Sequence, residues 1–208
     1  MATTALDQDL IAEGAMLMRH STDQYHAMIE SGFMPEGEPY ELLGGLLVRK
    51  DRSAVGEDPM TVGHDHARAV SMLARLGRRL ESPGCHMRTQ LPITIPPYDE
   101  PEPDGVIVIG SEDDYHEHPG PRDVLCVIEV ADASLRRDRE IKGKVYSGSG
   151  IPMYIIINLV DRTIEVFTRP VRGKRRYGHQ ATLASGQVLS LPTAAGRQLK
   201  LAVDELLP

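Results

Sequence analysis

Between residues 124 and 130 the chain reads VLCVIEV, apolar at every position but one. A strand apolar on both faces must be covered on both, so this run predicts the centre of a sheet with other layers packed above and below it. The one exception, Glu129, adds a chemical constraint. A lone carboxylate buried at the end of such a strand is strongly unfavourable unless a cation or hydrogen-bond donors compensate it, and a divalent metal is one such cation.

The surrounding sequence supplies the other layers. Val62, Ala69, Val70, Leu73, Leu76 and Leu80 recur at helical spacing, and SPG at 82–84 stops the pattern, which predicts a helix over 62–80. Strand-like runs follow at 88–95, 105–109, 153–159 and 162–168, with a helical segment at 136–147. RTIEVFTR alternates and predicts a half-exposed strand. Earlier, YELLGGLLVRK reads as a hairpin about Gly44 and Gly45, and residues 7–31 as one or two short helices ending at Gly32. The tail predicts strands near 177–183 and 187–191 and a short helix at 203–207. The fold class is therefore α/β (α+β), a mixed central sheet flanked by helices, with residues 1–21 as an N-terminal helical extension to a domain over 22–208.

Bulk properties narrow the function classes. The net charge of −7 excludes a protein that coats nucleic acid by bulk attraction, so any nucleic-acid contact must be local. Two clusters could provide it, Arg136, Arg137, Arg139, Lys142 and Lys144, and Arg172, Lys174, Arg175 and Arg176, although each also reads as a solvated face. No apolar run approaches the ~20 residues of a membrane span, and MATTALDQDLIAEG is no export signal, which predicts a cytoplasmic protein. Cys126 lies within the apolar run, far from Cys85, and predicts a buried thiol rather than a disulfide or zinc ligand.

A second acid stands at a strand entry in EPEPDGVIVIG, where Pro103 fixes the approach to Asp104. Two acids at strand ends can converge on an oxygen-ligand site of the kind Mg²⁺ prefers; alternatively, Asp104 is a turn residue and Glu129 pairs with an arginine. The cationic segment RRDREIKGKVY brings lysines within reach of the same strand end. Lys142 reads either as a group that offsets phosphate charge or as the surface partner of Asp138 one turn earlier. Lys142 and Lys144 flank the core-facing Ile141 and Val145 at similar angles, and spacing does not choose between them. His116 and His118, with Glu117 or Asp114, form a competing candidate metal set that also reads as an exposed loop.

Taken in order, TDQYHAMIESGFMPEGEPYELLGGLLV, HARAVSMLARL, EPEPDGVIV, VIEVADAS and DREIKGKVYSGSGIPMYIIIN resemble the bacterial Uma-type restriction endonuclease family, a branch of the PD-(D/E)xK nucleases. The resemblance implies a restriction-endonuclease-like fold and a metal site built from the acid after proline, the acid of the EV strand end and the lysine of a D-x-x-x-K-x-x-x-Y helix. Those positions are Asp104, Glu129 and Lys142, with Asp138 opening the helix motif and Tyr146 closing it. The family glutamate before the hairpin matches Glu41, and its histidine at the start of the long helix matches His66. The wider superfamily carries its lysine two residues after the glutamate, where this chain has Ala131. After Gly150 the family shows a glutamate, a tryptophan and an aspartate where this chain has Met153, Ile155 and Asn158.

The implied activity is hydrolysis of DNA phosphodiesters by a homodimer, with Mg²⁺ (or Mn²⁺) held by Asp104, Glu129 and the Val130 carbonyl, and with Glu41 completing the acidic cluster. The alternative is a nuclease-fold module that binds DNA or a protein partner without cleaving.

Overall fold

A computed structural model describes residue 13 and residues 18–34, 39–49, 63–81 and 84–208. The expectations for most of residues 1–17, Leu10, Ile11 and Met16 among them, and for Val62 lie outside the described residues. Six strands form the central sheet: β3 (Cys85–Arg88), β4 (Gly105–Ile109), β5 (Val124–Ala131), β6 (Met153–Asn158), β7 (Thr163–Pro170) and β8 (Tyr177–Leu183), side by side in that order. Only β5 and β6 run parallel, and the crossover between them is helical. All other neighbours are antiparallel, which makes the sheet mixed.

Before the sheet come helix α1 (Thr22–Glu30), a hairpin of β1 (Tyr40–Leu43) and β2 (Leu46–Arg49), and the long helix α2 (His64–Leu80). The hairpin turns on Gly44 and Gly45, both at positive φ (59° and 78°), a conformation open to glycine at little cost. Helix α3 is the crossover. It is α-helical at Leu135–Arg137, widens into a π-helix at Asp138–Lys142 and returns to α at Gly143–Ser149. A second hairpin, β9 (Val188–Pro192) with β10 (Gln198–Ala202), closes the chain, followed by a 3₁₀ turn at Val203–Glu205.

Strand β5 divides the core as its composition requires. Cys126, Ile128 and Val130 face α2, where Ala69, Leu73, Leu76 and Leu80 meet them together with Leu189, Leu191 and Leu201 of the C-terminal hairpin. Val127 and Ala131 face α3 and pack with Val145, Tyr146, Tyr154 and Ile156. Glu129 falls on this second face, under α3.

Three expectations are corrected. The run 88–95 is not a strand: β3 lies at Cys85–Arg88, and the following segment, punctuated by Pro92, Pro96 and Pro97 and turned by Gln90 at φ 53°, lacks the amide donors for a continuous ladder. Ile141, expected on the core face beside Val145, is half exposed. Glu165, on the polar side of the alternating β7, is buried, because Arg139 and Asn158 bond it. Both cysteines are buried without a disulfide.

Candidate functional site

The site lies where β4, β5, α3 and the first hairpin meet. Asp104 immediately precedes β4, and Gly105 pairs with Ile128 on the antiparallel neighbour, so Asp104 sits beside the Glu129 end of β5. Its carboxylate bridges two elements: Oδ2 accepts the Val130 amide at 2.8 Å, and Oδ1 lies 3.1 Å from Nε2 of His66 in the first turn of α2. Glu129 is buried. Its Oε1 accepts both the Lys142 ammonium at 2.9 Å and the Tyr146 hydroxyl at 2.7 Å. Among the described residues no hydrogen bond occupies its Oε2.

Lys142 is itself buried and also donates to Oε1 of Glu41 at 2.8 Å. Glu41 reaches the site from β1 because that strand is bridged to the segment before β4. Leu42 and Glu100 exchange backbone hydrogen bonds, and the Glu102 amide donates to Glu41 Oε1 at 2.9 Å. Asp138 does not pair with Lys142. It accepts from the Ser134 hydroxyl at 2.5 Å, while Tyr154 donates its hydroxyl to the Asp138 carbonyl at 3.1 Å. The reason is the π-helical turn, whose extra residue breaks the i, i+4 geometry and turns Lys142 inward beneath the strand end. Lys144 faces the opposite side of the helix, toward β8.

Four carboxylates, Glu41, Asp104, Glu129 and Asp138, thus surround one buried ammonium. Burial pushes the Glu129 carboxyl up to about 8 against the pull of Lys142, and Asp138, Asp104 and Glu41 push it the same way. Burial also raises Asp138. For Asp104 burial acts upward too, but the His66 and Val130 hydrogen bonds and the Lys142 charge together hold it below the usual carboxylate range. Lys142 is held above the usual lysine range: burial opposes its charge, and Glu129, Glu41 and Asp138 overcome that. The cluster therefore holds more carboxyl groups than its single lysine can balance, in a region where water screens little, and Glu129 keeps its proton up to about pH 8.

Among the described residues no three His, Cys, Asp or Glu side chains form a ready-made metal centre. Mg²⁺ does not require one, since it is commonly held by one or two carboxylates, water and substrate phosphate oxygens. The donor set fits such an ion: Asp104 is ionised, and Glu129 keeps one oxygen open. His116 and His118 do not converge with an acid. Both are exposed, and the His118 Nδ1 lies 3.5 Å from the Arg88 guanidinium. Sequence reasoning missed the contributions of Tyr154, Ser134 and the Glu102 amide, none of which carries a motif. Ala131, in the superfamily's lysine position, is fully buried under α3.

Residues 22–204 match the model of the Uma2 family, described as "Putative restriction endonuclease". No curated protein matches the chain. Among solved structures, a "putative nuclease belonging to DUF820" from Anabaena variabilis aligns with a TM-score of 0.62 at 16% identity, over 89% of this chain and 96% of that one. At that identity the likeness establishes the nuclease-like fold.

Proposed function

The chain belongs to the Uma2 family, and from that premise we propose that it is a divalent-metal-dependent endonuclease that hydrolyses DNA phosphodiester bonds at the Asp104, Glu129 and Lys142 cluster. The observation that carries this reading is the crowding of four acidic side chains around one ammonium at the end of a buried strand. Asp104 and the open oxygen of Glu129, with the Val130 carbonyl, would hold Mg²⁺ or Mn²⁺, and Glu41 would add to the negative field. Such an ion supplies Lewis-acid activation of the phosphate and of an attacking water.

The chain's own groups do the rest. His66 and the Val130 amide fix both oxygens of Asp104, and Tyr146 and Lys142 fix Glu129. Lys142 contributes positive charge where the phosphate gains negative charge. In the net reaction the water oxygen bonds to phosphorus, the bond from phosphorus to the leaving oxygen breaks, and that oxygen takes a proton. DNA as substrate follows from the family reading, and a homodimer from the symmetry of an enzyme that cuts both strands of a duplex. Incubating the protein with supercoiled and single-stranded DNA and Mg²⁺ or Mn²⁺ tests the proposal. Wild type cuts and Asp104→Ala is slower by about a hundredfold or more; equal rates, or no cutting with either ion, would reject it.

A further inference from the structure

The outer side of α3 faces a second site. A cavity of about 330 Å³ lies between α3 and the β7–β8 hairpin. Its rim carries Lys144, Arg175 and Arg176, and no carboxylate lines it among the described residues. None of these three cations belongs to an ion pair among the described residues. Asp99, beyond Arg175, feels its charge without pairing with it. The Arg175 stem rests against Gly148, where a Cβ would approach Arg175 Cγ to 3.2 Å. In a chain of net charge −7, an unopposed group of cations marks a place for an anion.

The floor has different chemistry. Tyr154, Phe167 and Tyr177 form one aromatic group: Tyr154 stacks on Phe167 with centroids 5.6 Å apart and on Tyr177 at 6.3 Å. The hydroxyls of Tyr154 and Tyr177 are taken by the carbonyls of Asp138 and Ile151, so the floor offers ring carbon rather than polar atoms. Cations above a flat apolar floor suit a ligand that joins a phosphate to a planar ring, and the volume suits a single nucleotide. Two packed tyrosines lie between the cavity and the acid cluster: the Tyr154 ring meets Tyr146 at 5.0 Å, and Tyr146 donates to Glu129.

We propose that this groove is a subsite for one unpaired nucleotide of a nucleic-acid strand, its phosphate held by Lys144, Arg175 and Arg176 and its base lying over Phe167. The proposal rests on the reading that the chain acts on DNA, and it adds that the protein engages a single strand in a groove on the other side of α3 from its acid cluster. A paired base cannot enter a cavity of this size, so single strands bind more tightly than duplex.

The test is fluorescence anisotropy of the full chain in chelator, with a fluorescein-labelled oligonucleotide used alone and annealed to its complement. Wild type prefers the single strand by about tenfold, and Arg175→Ala with Arg176→Ala weakens single-strand binding about tenfold and lowers the salt slope by about 1.4. Phe167→Leu weakens it without changing that slope, and thymidine monophosphate competes better than inorganic phosphate. Equal affinity for strand and duplex, unchanged affinity in the variants, or no binding by wild type overturns the proposal. Equal competition by inorganic phosphate also overturns it, by reducing the site to a charge patch. Failure of the hydrolase reading looks different, as strand binding that follows this pattern with no cleavage under any metal. Asp104-dependent cleavage with unchanged binding in the double variant removes the subsite alone.

Discussion

Lys142 and Tyr146 converge on the same oxygen of Glu129, at 2.9 and 2.7 Å, from successive turns of one helix. The hydroxyl and the ammonium together fix the carboxylate, and no other described residue hydrogen-bonds its second oxygen. This arrangement makes Lys142 a buried ion-pair residue and not a surface partner of Asp138.

Removing one member of a buried ion pair leaves the other charge uncompensated, at a cost of about 3–5 kcal/mol. Lys142→Ala therefore lowers unfolding free energy by about that amount and, on the proposed mechanism, lowers cleavage by about a hundredfold or more, whereas Lys144→Ala leaves stability within about 0.5 kcal/mol of wild type. Urea titrations of both variants check this. A Lys142→Ala loss of only a few tenths would mean that the lysine is solvated.

Tyr146→Phe keeps the ring against Tyr154 and deletes only the hydroxyl. Removing one partner of a buried hydrogen bond costs about 1–3 kcal/mol, so stability falls within that range while the fold persists. Thermal unfolding in chelator measures it, and an unchanged midpoint would show that water replaces the hydroxyl.

Opposite shifts on Glu129 and Asp104 give opposite pH slopes. Burial raises Glu129 to about 8, so between its ordinary range and that value the folded protein holds a proton that the unfolded chain has released. Stability from this group therefore falls as pH rises from about 5 to 8. Asp104, held low despite its burial, contributes stability present above the ordinary carboxylate range and lost only at acid pH below it. Lys142, held high, contributes stability that is lost only above the ordinary lysine range. In chelator the wild-type midpoint declines across about pH 5–8, Glu129→Gln lacks that decline, and Mg²⁺ flattens it by favouring the ionised carboxylate. A wild-type midpoint that climbs over this window contradicts the assignment.

Both thiols are out of reach of solvent, and burial pushes the Cys126 thiol far above its ordinary range. A thiolate-selective reagent at about pH 8 therefore labels neither cysteine in native protein and both in denaturant. Rapid native labelling of Cys126 would mean that β5 opens.

The central strand was legible because an unbroken apolar run has few other solutions, and the hairpin because two adjacent glycines mark its turn. Glu129 was legible as an anomaly in that run. The choice between Lys142 and Lys144 was not, since angular reasoning assumes a regular helix and the turn at Asp138–Lys142 is π-helical. The fate of Glu165 was hidden for a different reason. Alternation tells which face a side chain takes, and nothing local announces that Arg139, 26 residues earlier, covers that face.

Glu41 and Lys142 stand 101 residues apart, one on the N-terminal hairpin and the other on the crossover helix. During synthesis the hairpin glutamate emerges long before the lysine that neutralises it, and the strand carrying Glu129 emerges between them. The acids therefore wait, solvated, until the crossover helix docks. A partly made or misfolded chain has no assembled cluster to hold an ion, and the proposed capacity to cut is among the last properties that the folding protein acquires.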